Sequence, residues 1–508
     1  MKNIFPVLCM FIIGSRLYAQ KDTVRFTVDT RLAAEHVIGI TMKVPVNNKD
    51  IVDLKLPVWS PGYYQVMNYG KSIHDFSVKD QNGKTLTWQQ IGNDTWRIAA
   101  KAAKSLTVVY TVKTERAFVA TSYIDKERAF IKPTASFLHV DGALQLPAVV
   151  DIPLQNGWTR VATGLDSIGK TKYRAKDFDV LYDCPILIGD LQELPAFKVK
   201  GKPHRFIGYK MGSFDGAALM KDIEKIVITA SNLIGDIPYE HYTFIATGPG
   251  AGGIEQLNST AIGFSGEGLN NPAGRNRMLS FITHEYFHHY NIKRIRPIEL
   301  GPFDYSKANR TNSLWVGEGL TVYYEDLILN RAGLMNKRDV LDTWQGTIQG
   351  FENNAGRLKQ TLAQSSANTW EDGPFGKKGE TISFYEKGPI VGLLLDIEIR
   401  SASDNKKSLD DVMRYLYNTY YKNAGRGFTE AEVRAACEQM TGQKLDELFD
   451  YIYTLNKIDY QKYLAKAGLT ISFTDEKNQK GELVTKVSLS ESNNMTPLQK
   501  NILGSMLQ

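Results

Sequence analysis

Cysteine is scarce in this chain: Cys9, Cys184 and Cys437 are the only three in 508 residues. Cys9 falls in an N-terminal leader, so two remain, which rules out the disulfide framework of a small secreted scaffold. An excess of one charge is also lacking, since 61 basic and 55 acidic side chains leave +6, and Lys2 and Arg16 depart with the leader. That balance gives nucleic acid no electrostatic footprint. The local run Lys293-Arg294-Ile295-Arg296 reads as a solvated helix end complementing the helix dipole. After the leader no segment reaches the roughly 18 uninterrupted apolar residues of a membrane helix. No period of about 20 to 50 residues recurs, which excludes a solenoid or propeller.

What is present begins with that leader: Lys2 as a basic start, an apolar stretch from Ile4 to Ile13, and a cleavage site at Leu17-Tyr18-Ala19. The expected mature chain starts at Gln20 and is periplasmic or secreted. The context of Cys9 lacks the small residues that precede a lipidated cysteine. The remainder, with 43% hydrophobic and 23% charged residues, has an ordinary globular composition. It is long enough for roughly three domains.

Residues 20–195 carry short β-branched runs at Val24–Val28, Ile38–Val44, Thr107–Val112 and Val149–Ile152, with Asn82-Gly83 and Asn156-Gly157 as hairpin-type turns. They predict a β-sandwich-like domain. Its Trp59-Ser60-Pro61-Gly62-Tyr63-Tyr64 segment reads as a rigid turn with packed aromatics. Residues 196–340 mix helix and strand, with a helix over Ala217–Leu233 and a strand over Tyr242–Ala246. Residues 341–467 are helical, with patterns over Glu386–Arg400, Leu409–Tyr421 and Leu445–Ala465. Thr429-Glu430-Ala431-Glu432 forms a capping box there. Residues 468–508 form a short segment with a strand over Leu483–Leu489. The fold class is multidomain α+β.

Gly248, Gly250 and Gly253 formally satisfy GxGxxG, but Pro249 interrupts the motif and no helix pattern follows, so a nucleotide site is rejected. Gly252 and Gly253 instead read as glycines that let a backbone edge approach a ligand.

The segment Thr283-His284-Glu285-Tyr286-Phe287-His288 carries the strongest signal. On a helix, residues four apart share one face, so His284 and His288 can reach one metal ion. Glu285 between them is placed to take a proton from water activated at that metal, the HExxH arrangement of zinc hydrolases. The stretch from Arg275 to Arg296 has no glycine or proline, and Pro297 is expected to stop the helix. A catalytic zinc needs a third protein ligand with one position left open. Glu318, in Trp315-Val316-Gly317-Glu318-Gly319, is the candidate; its spacing fits a helix-cap carboxylate equally well.

In this order the motifs resemble the glycyl aminopeptidase family, metallopeptidase family sixty-one. This is a relative of the alanyl aminopeptidases with a thermolysin-like catalytic domain. The resemblance also rests on Trp59 to Tyr63, on Asp179-Val180-Leu181-Tyr182-Asp183-Cys184-Pro185, on Gly252-Gly253-Ile254-Glu255, on Asn291 and Pro297, and on Tyr385-Glu386-Lys387-Gly388. It implies one zinc held by His284, His288 and Glu318, Glu285 as general base, and Tyr385 as hydrogen-bond donor to the oxyanion. It places Glu255 where the related family binds the substrate's α-amine. The gap from His288 to Glu318 is longer than in the alanyl relatives, leaving room for an inserted loop. Only about 40 residues follow Ala467, too few for the PDZ domain that many members carry.

The expected function is a secreted zinc aminopeptidase acting on peptides, with a preference for small first residues such as glycine or alanine. A zinc endopeptidase with an open cleft and a catalytically silent binding protein are the competing readings. The retained Glu285 and Tyr385 argue against silence.

Overall fold

The computed structural model describes residues 22–46 and 49–507, so the leader expected over 1–19 lies outside the described residues. The β pattern of the first third becomes a seven-stranded sheet whose centre pairs Val24–Asp29, Val37–Pro45 and Ser105–Lys113 antiparallel. Ile38, Ile40, Met42 and Val44 alternate inward and stand opposite Val112, Tyr110, Val108 and Leu106. That period of two fixes the register, because a one-residue slip would turn the whole apolar set to solvent. A four-stranded sheet containing Ile51–Lys55 and Thr95–Ala99 adds Leu54, Trp96 and Ile98 to the same core, giving the sandwich. Asn82-Gly83 closes a hairpin, with Leu86 N–H donating to Val78 O at 3.0 Å. Asn156-Gly157 has φ of 57° and 74° but joins strands of two different sheets.

The next domain is built on a mixed sheet. Lys202–Gly208, Tyr242–Ala246 and Ser259–Ile262 run parallel, and Gly253–Glu255 pairs antiparallel to the last of them at the sheet edge. The helix Gly216–Ile234, capped by Asp215 and stopped at Gly235 with φ 90°, covers the sheet. Pro272–Phe287 carries His284 and Glu285, has His288 as its C-cap, and packs on Leu320–Arg331. The long helix Phe384–Ala402 lies across both this region and the helical domain, and most of its residues are buried. The capping box at Thr429 and Glu432 is present.

Three predicted helices differ from those observed. The HExxH helix ends at Phe287 rather than near Arg296. Absence of glycine and proline permits a helix, but Ile292 adopts φ 103° and Arg294 Nη1 donates to the carbonyl of His289 at 2.6 Å, satisfying the chain's exit. The Leu409 helix runs to Leu416 and widens into a π-helical turn over Tyr417–Asn423. The Leu445–Ala465 pattern splits into Asp446–Tyr453 and Tyr460–Leu464. At the C-terminal side a hairpin, Leu469–Lys477 with Leu483–Glu491, precedes the helix Pro497–Met506. Cys184 and Cys437 are both buried and free. Among the described residues no helix is long and apolar enough to cross a membrane.

Candidate active site

At the C-terminal end of the HExxH helix the two imidazoles meet edge to face, with His284 Nε2 and His288 Nε2 2.8 Å apart. Their outer nitrogens are committed elsewhere. His284 Nδ1 lies 2.7 Å from a Glu325 carboxylate oxygen and His288 Nδ1 lies 2.8 Å from the carbonyl of Asn291. Both partners only accept, so both Nδ1 atoms carry the proton and both Nε2 atoms point lone pairs inward. Glu318 Oε2 completes the group, 3.1 Å from His288 Nε2 and 3.8 Å from His284 Nε2. Two imidazole nitrogens and one carboxylate oxygen, each able to ligate a metal, thus converge within 4.8 Å of one another. This is the chemistry of a cation site.

The carboxylates that surround the imidazoles would neutralise a cation here and also favour a proton, so a metal ion binds in competition with that proton. Burial pushes His284 down, but Glu318 and Glu325 outweigh it and raise it well above the usual imidazole range. His288 is raised in the same way, chiefly by Glu318. Burial raises Glu318, but His288 and His284 outweigh it and hold the carboxyl well below its ordinary value. Among the described residues no other such cluster occurs.

Glu318 arrives through a π-helical turn, Trp315–Gly319, that opens the helix Leu320–Arg331. A π turn leaves carbonyls without their usual partners, and such turns are frequent at functional sites. The side-chain amide of Asn291 supplies the donors: it reaches Val316 O at 2.7 Å and Gly317 O at 3.1 Å. Gly317 packs tightly on Ile292, so a methyl there would lie 2.1 Å from Ile292 Cδ1 and push that side chain aside.

Glu285 is buried beside the metal group and accepts from Thr260 Oγ1 at 3.3 Å. Burial, partly offset by the two histidines, raises its carboxyl to about 7. Gly253 touches it: a methyl at that position would sit 2.4 Å from Glu285 Oε1. The structure therefore brings Gly253 against the Glu285 carboxylate, while Gly252 precedes the strand with φ 89°. Tyr385, in the first turn of Phe384–Ala402, donates its hydroxyl to Glu318 Oε2 at 2.9 Å. Burial and the Glu318 charge push its pKa well up, so it remains a donor. Its helix comes this close because Gly319 and Gly388 abut, a methyl on Gly319 falling 2.6 Å from Gly388 Cα.

Glu255 is buried rather than an exposed loop carboxylate, and its Oε1 has no hydrogen-bond partner. Lys293, Pro61, Gly62 and Tyr64 line a small cavity with it. The turn at Trp59 is rigid as expected, with Trp59 packed among Phe303, Tyr305 and Trp370. Lys293 and Arg294 are 7% and 5% exposed, which overturns their reading as a solvated helix end. Polar partners account for this, most of them far away in sequence: Asp183 for Lys293, and for Arg294 the carbonyls of Pro238 and Leu257 together with the nearby carbonyl of His289. Sequence gives no sign of Thr260 at the site; Glu325, two helical turns beyond Glu318 and the alternative third ligand to it in sequence, instead holds the outer nitrogen of His284.

Residues 25–190 match a family model described as the Peptidase M61 N-terminal domain, and residues 277–391 match one described as M61 glycyl aminopeptidase. No curated protein matches the chain. Among solved structures, an aminopeptidase N family protein from Idiomarina loihiensis is similar at 27% identity and TM-score 0.84, covering 91% of this chain and 81% of that one. An M1 zinc metallopeptidase from Deinococcus radiodurans, bound to a Tyr-Ser-Ala substrate, superposes at TM-score 0.54 and 12% identity, covering 85% and 93%. Yeast LTA4 hydrolase does so at TM-score 0.52 and 15% identity, covering 88% and 70%. The last two likenesses are of fold.

Proposed function

Since the chain belongs to the M61 glycyl aminopeptidase family and is a metallo-aminopeptidase, we propose that it uses one zinc ion, held by His284, His288 and Glu318, to remove N-terminal residues from peptides. The observation that carries this is the convergence of two imidazole nitrogens and one carboxylate oxygen beside Glu285 and Tyr385. Two imidazoles and one carboxylate are a zinc set that leaves a position open. Zinc bound there supplies Lewis acidity to water and to the scissile carbonyl.

The protein's own groups do the rest. Glu285 takes the proton of the attacking water and returns it to the leaving amine, a role suited to a buried carboxyl raised to about 7. Tyr385 donates its hydroxyl to the oxygen on which charge develops. The edge strand Gly253–Glu255 pairs with the extended peptide, and Gly253 allows that backbone close to Glu285. The partnerless oxygen of Glu255 accepts the substrate's α-ammonium, which limits how far the peptide extends past the metal. A preference for glycine follows the family's description, extended here to alanine as the next smallest side chain, and a periplasmic or secreted location follows the leader.

Metal analysis tests the ligand set. Native protein holds one zinc per chain and Glu318→Ala loses most of it, because two imidazoles hold zinc poorly. Full occupancy in Glu318→Ala would assign the third ligand elsewhere, with Glu325 the nearest carboxylate to His284.

A further inference from the structure

Lys293 lies in the seam between the β domain and the catalytic domain, buried, where a cation requires a partner. Its Nζ is 2.7 Å from Asp183 Oδ1, a residue of the β domain 110 positions earlier. The other oxygen of Asp183 accepts the backbone N–H of Leu257 at 2.6 Å, two residues past Glu255. One β-domain carboxylate therefore anchors both Lys293 and the backbone that carries Glu255.

Lys293 Nζ also faces Glu255, 3.9 Å from the Oε1 that has no hydrogen-bond partner. At that distance it attracts the carboxylate without occupying the lone pairs of that oxygen. Burial pushes Lys293 down, but Asp183 and Glu255 outweigh it and keep the amine charged. On the opposite side stands Gly62 of the β domain, with φ +85°. A methyl there would lie 2.7 Å from Glu255 Oε2 and 3.0 Å from Oε1. Glu255 is thus held between a backbone it cannot move and a cation that is itself fixed.

We propose that Lys293, anchored on Asp183, is a positioning residue that aims the Glu255 carboxylate at the substrate's α-ammonium. The β domain is then part of the amine subsite. It orients the acceptor through the Asp183–Lys293 pair and walls it in with Gly62. The inference rests on the reading of Glu255 as the amine acceptor. The Lys293 side chain acts through Glu255; the residue meets His288 by its backbone N–H, which donates to the His288 carbonyl at 3.1 Å and is kept in a side-chain variant, so loss of the side chain should weaken substrate capture more than turnover.

The test is steady-state kinetics on a free-amine tripeptide, with zinc content and thermal unfolding measured on every variant. Lys293→Met should raise KM by about 10-fold or more, with kcat within about 3-fold of native and zinc retained. Lys293→Arg should recover most of the loss. Asp183→Asn should raise KM in the same direction, and Asp183→Asn combined with Lys293→Met should be no worse than Lys293→Met alone, because the two act as one unit. Gly62→Ala keeps both charges and displaces Glu255 directly, so it should raise KM too and serves if the lysine variant does not fold. A folded, zinc-loaded Lys293→Met with native KM, where Glu255→Ala raises KM, would overturn the inference while leaving the role of Glu255 intact. Native KM in Glu255→Ala would overturn both.

Discussion

The carbonyl of Asn291 accepts the Nδ1 proton of His288 at 2.8 Å. The side-chain amide of the same residue holds the carbonyls of the turn that carries Glu318. One residue thus orients two of the three metal-directed groups, joining the HExxH helix to a turn about 30 residues later. Asn291→Ala should leave all three donors in place yet weaken zinc binding by about 10- to 100-fold, the usual effect of losing an outer-shell partner. Competition against a chromophoric chelator measures this.

Glu285→Gln fills the same space but cannot take a proton. It should retain zinc and lose about 10²- to 10⁴-fold in kcat. Tyr385→Phe removes one donor to the oxyanion and should cost about 10²- to 10³-fold in kcat, also with metal retained. Rate measurements on metal-analysed protein separate these effects from simple loss of zinc.

Gly319→Ala forces a methyl to within 2.6 Å of Gly388 Cα. Overpacking of this kind costs about 1–3 kcal/mol, and here it also pushes the Tyr385 helix away from Glu318. Urea unfolding should show the destabilisation, and kcat should fall further than in Tyr385→Phe because the ligand turn moves as well.

Acid should weaken the fold through two buried histidines. Burial pushes His139 and His204 down to about 4, each hydrogen-bonded to a tyrosine hydroxyl. The folded state keeps them neutral, while the unfolded chain takes up protons near pH 6.5. Stability is therefore lost as pH falls from about 6.5 toward about 4, on the order of 2 kcal/mol per histidine by pH 5. Denaturant titrations at pH 7 and pH 5 measure the slope, and His204→Gln should flatten it.

The local parts of this site were legible in the sequence. A four-residue histidine spacing needs only a helix, and the alternation of Ile38, Ile40, Met42 and Val44 needs only a sheet. What the sequence hid depends on contacts between distant segments. Nothing in the sequence pairs the glycines of the Glu318 and Tyr385 motifs, yet Gly319 and Gly388 let two helices touch backbone to backbone. The run from Lys293 to Arg296 carried no mark of burial, because its compensating partners lie far away, Asp183 among them. The HExxH helix ends at Phe287, ahead of the expected stop at Pro297, for a similar reason. Side-chain hydrogen bonds from Asn291 and Arg294 stabilise an exit that propensity does not encode.

The most direct test is mass spectrometry of products from one peptide in free and N-acetylated form. The protein is assayed as isolated, after chelator treatment, and after return of one equivalent of zinc. The free peptide should lose its first residue, cleavage should stop on stripping and return with zinc, and the acetylated peptide should stay intact. Internal cleavage of the acetylated peptide, or N-terminal cleavage that persists in metal-free protein, would contradict the assignment of a zinc aminopeptidase centred on His284, His288 and Glu318.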